Sequence, residues 1–177
     1  SGYGDEGAAN HLRISKSHNE KGFEIFVYGE SGFKNDKTSV KRQALEVSRS
    51  IAFNHKLDME NTFFLQQNHQ AVKEGSFHND IVSLSNESVF IAHENAFQNK
   101  DDLNKVLNIL KSKIDNFQYI EISDSEIPLK DIISSYLLNS QLITKGDNEM
   151  QSILPEEVKG YENCMSWLCP LYTSDAA

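Results

Sequence analysis

At 177 residues, with 38% hydrophobic and 24% charged residues, the chain is long enough for one domain with a real core and too apolar to be disordered. Its formal net charge of -9 is the wrong sign for nucleic acid or an anionic membrane, both of which reward clustered Lys and Arg. No apolar run approaches the roughly 20 residues of a membrane helix, residues 1–10 show no signal-peptide pattern, and Cys164 and Cys169 are too few for a disulfide framework, so a soluble cytoplasmic protein is expected.

Elements follow in chain order. Phe23 to Tyr28, closed by Gly29, is a compact β-branched and aromatic run that predicts a buried strand. Residues 30–37 read as a loop, and Thr38 or Ser39 can cap a helix through His55, with Val40, Ala44, Val47 and Ile51 on one face. Thr62 to Gln66 predicts a strand, and Asn68 to Ser76 a polar loop. Asp80–Leu84 and Ser88–Ala92 predict a hairpin. Asp101 is the expected cap of an amphipathic helix bearing Leu103, Val106, Leu107, Leu110 and Ile114. Tyr119–Ile122 alternates as a strand, and Pro128 opens a predicted helix through Asn139. Gln141–Thr144 and Met150–Leu154 predict a second hairpin, and Pro155 a last helix toward Trp167. The order is that of an α/β or α+β domain with a rough ββαβ repetition.

Four features could carry chemistry: Gly4-Asp-Glu-Gly-Ala-Ala-Asn-His11, Lys41-Arg-Gln43, Gly75-Ser-Phe-His-Asn-Asp80, and the two cysteines. If 78–80 is extended, alternation puts His78 and Asp80 on one face. Histidine relays protons near neutral pH, and a neighbouring carboxylate can hold a cation or orient the ring. Taken singly, His78 reads as an exposed histidine at a loop–strand junction. Glu6 reads as part of a solvated acidic loop, and Arg42 as a surface residue. A metal site from His78, Asp80 and Glu6 would lack the spacing of known ligand motifs.

In order and approximate spacing these features resemble the N-succinylarginine dihydrolase family. The resemblance runs through Gly4–His11, Ile25–Gly29, Arg42-Gln43, Gln66–Asn68, Phe77–Asp80, Val82–Asn86, Tyr136–Leu142 and Leu154–Glu156. It covers residues 4–168, nearly all of the chain.

The resemblance implies a member of the guanidine-modifying superfamily. Its fold would be a partial five-bladed β/α propeller of ββαβ modules, with two to three modules present. The implied activity is hydrolysis of C–N bonds in a linear amidine, N2-succinyl-L-arginine, to N2-succinyl-L-ornithine, ammonia and carbon dioxide in arginine catabolism. It proceeds by Cys–His–Glu covalent catalysis with no metal or organic cofactor. By position, Glu6 and His78 would be catalytic, and Arg42 and Asp80 would bind substrate. The family's glycine-rich segment ending in its cysteine has no counterpart here, so Cys164 and Cys169 are expected to be structural. The chain therefore reads as an internal fragment, inactive alone, and as part of a homodimer when full length. A non-catalytic guanidinium-binding remnant is the alternative. Residues 1–168 are expected to be a partial catalytic domain, and 169–177 a non-native tail, since Leu171–Ala177 resembles translated adaptor sequence.

Overall fold

The computed structural model describes residues 8–29, 43–146 and 149–169, which form a mixed α/β fold with three small sheets. The first sheet contains β1 (His11–Ile14), β2 (Phe23–Tyr28) and β3 (Thr62–Gln66), in that order. β1 and β2 are antiparallel, β2 and β3 parallel. A parallel pair needs a long crossover, and here it contains α1 (Leu45–Asn54). After α2 (His69–Lys73) the plan recurs. β4 (Ser83–Asn86) and β5 (Val89–His93) are antiparallel, α3 (Lys100–Lys113) crosses over, and β6 (Gln118–Ile122) lies parallel to β5. Past α4 (Leu129–Ser135) comes a third hairpin, β7 (Gln141–Gly146) and β8 (Glu149–Ile153), then α5 (Glu162–Leu168). The rough ββαβ repetition is thus visible as two units of identical strand order and sense, with another hairpin following.

The units meet through their first strands: β4 lies against β1 on one side and β7 on the other. The Ser15 amide donates to the Glu87 carbonyl at 2.9 Å, and the Ser85 hydroxyl donates to the Arg13 carbonyl at 3.2 Å. Across to β7, the Asn86 amide group donates to Thr144 Oγ1 at 2.8 Å. Glu87, in the β4–β5 turn with φ of 46°, accepts from the Thr144 hydroxyl at 2.8 Å and from the His18 amide at 3.0 Å. Burial opposes its charge. The bonds from Thr144 and the His18 amide, with the nearby His18 ring, outweigh that and hold the carboxyl below its usual range.

Side-chain alternation gives the first sheet one apolar face, where Leu12, Ile14, Ile25, Val27 and Leu65 are buried. His11, Arg13, Glu24, Phe26 and Phe64 point the other way; there His11 stacks on Phe26, its cross-strand partner, and Arg49 of α1 lies over the Phe64 ring. The α3 stripe Leu103, Val106, Leu107 and Leu110 is buried as expected, each side chain contributing roughly 1.5–3 kcal/mol.

Several boundaries differ from the sequence reading. β1 was not expected, because its alternating His and Arg lack the usual apolar signature of a strand. α1 starts at Leu45 after an extended Ala44, rather than being capped by Thr38 or Ser39, which lie outside the described residues. Asn99, not Asp101, caps α3, its side chain accepting from the amides of Asp101 and Asp102. α4 stops at Ser135 because Tyr136 turns left-handed, at φ 55°. The segment after Pro155 splits into a 3-10 turn, Glu156–Gly160, and α5. Asn68–Ser76 contains a helix, α2, whose cap is Asn68, accepting from the amides of Gln70 and Ala71.

His93, at the end of β5, is buried; its Nδ1 accepts from the Asn95 amide at 3.1 Å, so Nε2–H donates to the Ile127 carbonyl, also at 3.1 Å. Burial lowers its pKa below 6.5, against the raising effects of the Ile127 carbonyl and nearby carboxylates. The unfolded chain therefore takes up a proton that the folded one resists. This contribution to stability is complete above pH 6.5 and is lost as pH falls below it. In chemical denaturation, the stability difference between wild type and His93→Gln should shrink as pH drops from 7 toward 5, by at most about 1.4 kcal/mol per pH unit. A constant difference would show that folding does not shift the His93 pKa, and one that grows would show that the folded state favours the charged ring.

Candidate functional site

Strand register gathers the candidate segments at one end of the first sheet. His11, the first residue of β1, pairs with Phe26 near the carboxyl end of β2, and Tyr28 pairs with Gln66 at the carboxyl end of β3. The chain entering β1, the chain leaving β2 and the chain leaving β3 therefore share one edge. These are the segments that bear Glu6, Arg42 and His78. Glu6 and Arg42 themselves lie outside the described residues. Their neighbours do not: Ala8–Asn10 forms a 3-10 turn into β1. Gln43 is buried, with its carbonyl accepting from the Gly29 amide at 2.9 Å and its side chain donating to Ser48 Oγ at 2.6 Å.

The segment after β3 is held at every step. α2 ends in a Schellman arrangement: the Ser76 amide donates to the Ala71 carbonyl, and Gly75, at φ 112°, donates to Val72. Gln67 is fully buried, and its Nε2 donates to the Ser76 carbonyl at 3.0 Å and Ser76 Oγ at 2.9 Å. The His78 carbonyl accepts from Ser76 Oγ at 3.0 Å and from Gln67 Nε2 at 3.4 Å. Beyond it the Asn79 amide donates to Asn10 Oδ1 at 3.1 Å, in a buried bond across 69 residues of sequence. Asn79 is itself buried and its amide group donates to Ser83 Oγ.

This corrects the extended reading of 78–80. Asn79–Ile81 is a 3-10 turn, with His78 extended at its N-cap position (φ -125°, ψ 156°) and its side chain making no cap. The polar contacts of Asn79 with Asn10 and Ser83 favour the turn over a ladder, as short polar side chains do. His78 and Asp80 are thus placed by a turn rather than by strand alternation. Both are half-buried.

Asp80 also lines a cleft of about 300 Å³ between β1 and β4, with His11, Arg13, Ser83, Ser85 and Glu87. His11 Nε2 and Glu24 Oε2 stand 2.8 Å apart, an ion pair whenever the ring is protonated, although its angles are not those of a hydrogen bond. Leu12 and Leu84 also line it, so the cleft sets charged side chains beside apolar surface.

Cys164 sits on α5, buried, with its Sγ 3.5 Å from Ser135 Oγ. Burial pushes its thiol up despite the Ser135 hydrogen bond, the reverse of what a thiolate nucleophile requires. Cys169 is exposed. Among the described residues, no three His, Cys, Asp or Glu side chains are grouped to hold a metal ion, and no helix is long and apolar enough to cross a membrane.

Sequence reasoning gave no role to Asn10, Gln67, Asn79 or Ser83. All four lie inside the matched motifs, but their partners are distant or buried, which no local pattern reports.

The family model for succinylarginine dihydrolase matches residues 1–177. The chain is 38% identical over 182 residues to the N-succinylarginine dihydrolase of Photorhabdus laumondii, covering 99% of this chain and 40% of that protein. It is 40% identical over 173 residues to that of Ectopseudomonas mendocina, covering 93% of this chain and 38% of the relative. For the Hahella chejuensis protein the identity is 37% over 177 residues, covering 97% and 39%. The chain thus spans about two fifths of the length of these curated relatives.

Gly75 offers a local check on this geometry. A Cβ there would meet only Ile133 Cγ2, at 3.7 Å, so space is adequate and only the positive φ resists a side chain. Gly75→Ala should cost about 1–2 kcal/mol of unfolding free energy, with Gly75→Asn costing less. Urea titration that finds both substitutions neutral would mean the loop does not hold this turn.

Proposed function

This chain belongs to the succinylarginine dihydrolase family, and from that premise we propose that it carries the acid–base part of the site of an enzyme acting on N2-succinyl-L-arginine. The products are N2-succinyl-L-ornithine, ammonia and carbon dioxide. The observation that supports this best is the shared edge of the first sheet, where the segments bearing Glu6, Arg42 and His78 emerge and the Asn79 amide bonds to Asn10.

In this reading Glu6 is the carboxylate that completes the catalytic set with His78, and Asp80 holds the guanidinium, since a planar cation pairs with a carboxylate through parallel charge-assisted hydrogen bonds. Arg42 takes the succinyl carboxylate by the same fork geometry. A cysteine thiolate forms a C–S bond to the guanidinium carbon, one C–N bond breaks, and His78 gives a proton to the departing ammonia. His78 then takes a proton from water, which attacks the same carbon and releases the thiolate. A second round on the ureido product liberates the other ammonia and carbon dioxide. The buried, raised thiol of Cys164 does not suit the nucleophile, and we assign that role to a cysteine outside this chain.

Two units of the same ββαβ order, a further hairpin and the contiguous first strands β1, β4 and β7 support a β/α propeller with those strands nearest its axis. Five modules, a cytoplasmic setting and a homodimer of the full-length protein complete the proposal.

Ammonia release from N2-succinyl-L-arginine tests it. In the full-length protein, His78→Ala and Glu6→Gln should each lower kcat by about 10²–10⁴-fold, and a chelator should leave the rate unchanged. The 177-residue chain alone should release none. Turnover by the chain alone that Cys164→Ala abolishes would overturn the assignment of the nucleophile, and undiminished activity in His78→Ala would overturn the acid–base role.

A further inference from the structure

His78 O and Asn79 N belong to one peptide group, and two carboxamides from separate segments grip its two ends. Gln67 Nε2, just past β3, donates to the carbonyl at 3.4 Å and, at 2.9 Å, to Ser76 Oγ, which itself donates to that carbonyl at 3.0 Å; it also holds the preceding Ser76 carbonyl at 3.0 Å. Asn10 Oδ1, just before β1, accepts from the amide at 3.1 Å. Both residues are buried, with Gln67 wholly inaccessible and Asn10 3% exposed. In such surroundings a hydrogen bond is strong and its loss leaves a buried polar group unsatisfied.

Fixing that peptide plane fixes ψ of His78 and φ of Asn79, and with them the direction in which the His78 side chain leaves the backbone. It also fixes the start of the 3-10 turn that carries Asp80. Asn10 lies four residues after Glu6, so the same bond relates the segment bearing the carboxylate to the one bearing the imidazole. From this geometry we infer that Asn10 and Gln67 are a pair of positioning residues that set the His78–Asp80 turn against the chain entering β1. The inference rests on the function proposed above. Neither residue touches the reacting atoms in this scheme; both act through the 78–79 peptide.

A positioning role has a kinetic signature that a purely structural one lacks, because an ångström of misplacement at the reacting centre can lower the rate about 10²-fold. In the full-length enzyme, assayed well below each variant's melting temperature, Asn10→Leu and Gln67→Leu should each lower kcat by about that factor while KM is retained. Asn10→Asp keeps an acceptor oxygen and should recover most of kcat. Because both residues hold one peptide, the double variant should lose less than the product of the single losses. Leu110→Ala, a core truncation in α3, should lower the melting temperature but leave kcat unchanged. If Asn10→Leu does not fold, Asn10→Ser, whose hydroxyl is too short to reach the amide, takes its place with the same expected loss. Unchanged kcat in the Asn10 and Gln67 variants, with His78→Ala inactive, overturns the positioning role alone. Activity retained in His78→Ala overturns the function on which it rests.

Discussion

The first strands of the three hairpins lie side by side, and the Glu87 carboxylate is where they are tied. One of its oxygens accepts from the His18 amide in the β1–β2 turn, the other from the Thr144 hydroxyl on β7. Glu87 itself adopts a positive φ, a conformation that is uncommon outside glycine and persists where the surroundings hold it. The bonds to His18 and Thr144 are of that kind. Because strand order and sense are the same in the first two units, aligning β1 with β4 aligns the remaining strands of those sheets relative to one another. The cleft between β1 and β4, lined by Asp80 and Arg13, is a product of that alignment.

A second tie operates at the opposite chain ends of the first unit. The Asn68 amide donates to the Ala96 carbonyl at 3.0 Å and the Gln98 amide to the Gln66 carbonyl at 2.9 Å, so the end of β3 is bonded to the loop that leads from β5 into α3. The segment that begins at Gln67 thus starts from a fixed point. From there the buried Gln67 carboxamide, the left-handed Gly75 and the Asn10–Asn79 bond leave the loop little freedom before it reaches His78. Loops usually run over the surface because buried backbone needs partners. This one is partly inside, and its partners are supplied by side chains.

How much of this was legible depended on whether the controlling interaction was local. Phe23–Tyr28, Thr62–Gln66 and the α3 stripe were read correctly, since burial on one face or in a continuous apolar run leaves a periodic trace. β1 was not, because His11 and Arg13 occupy its polar face and only Leu12 and Ile14 report burial. Missing β1 hid the first ββαβ unit, and the repetition could then be traced only between later hairpins. The 3-10 turn at Asn79 was missed for a related reason. Its deciding partners are Asn10, far away in sequence, and Ser83, and an Asn beside an Asp at the mouth of a predicted strand does not announce either. The motif-level resemblance named segments, while the residues that hold the described ones together needed the fold.

Arg13, the arginine of the cleft, is committed to its own hairpin. Arg13 donates from one terminal nitrogen to Ser15 Oγ at 2.9 Å and from the other to the Glu20 carbonyl, and its Nε lies 3.7 Å from Glu24. A Cβ on Gly22 would come within 2.9 Å of that Nε, so the side chain lies tightly against the β1–β2 connection. A guanidinium presents donors in a fixed fork, and a bidentate carboxylate needs two of them facing the same way. On Arg13 both terminal nitrogens already serve the hairpin, and turning it toward a ligand would break the contacts that shape β1. A succinyl carboxylate, in the proposed scheme, therefore calls for an arginine not built into the first hairpin. That physical requirement, rather than proximity to the cleft, favours Arg42 over Arg13 in the proposed scheme.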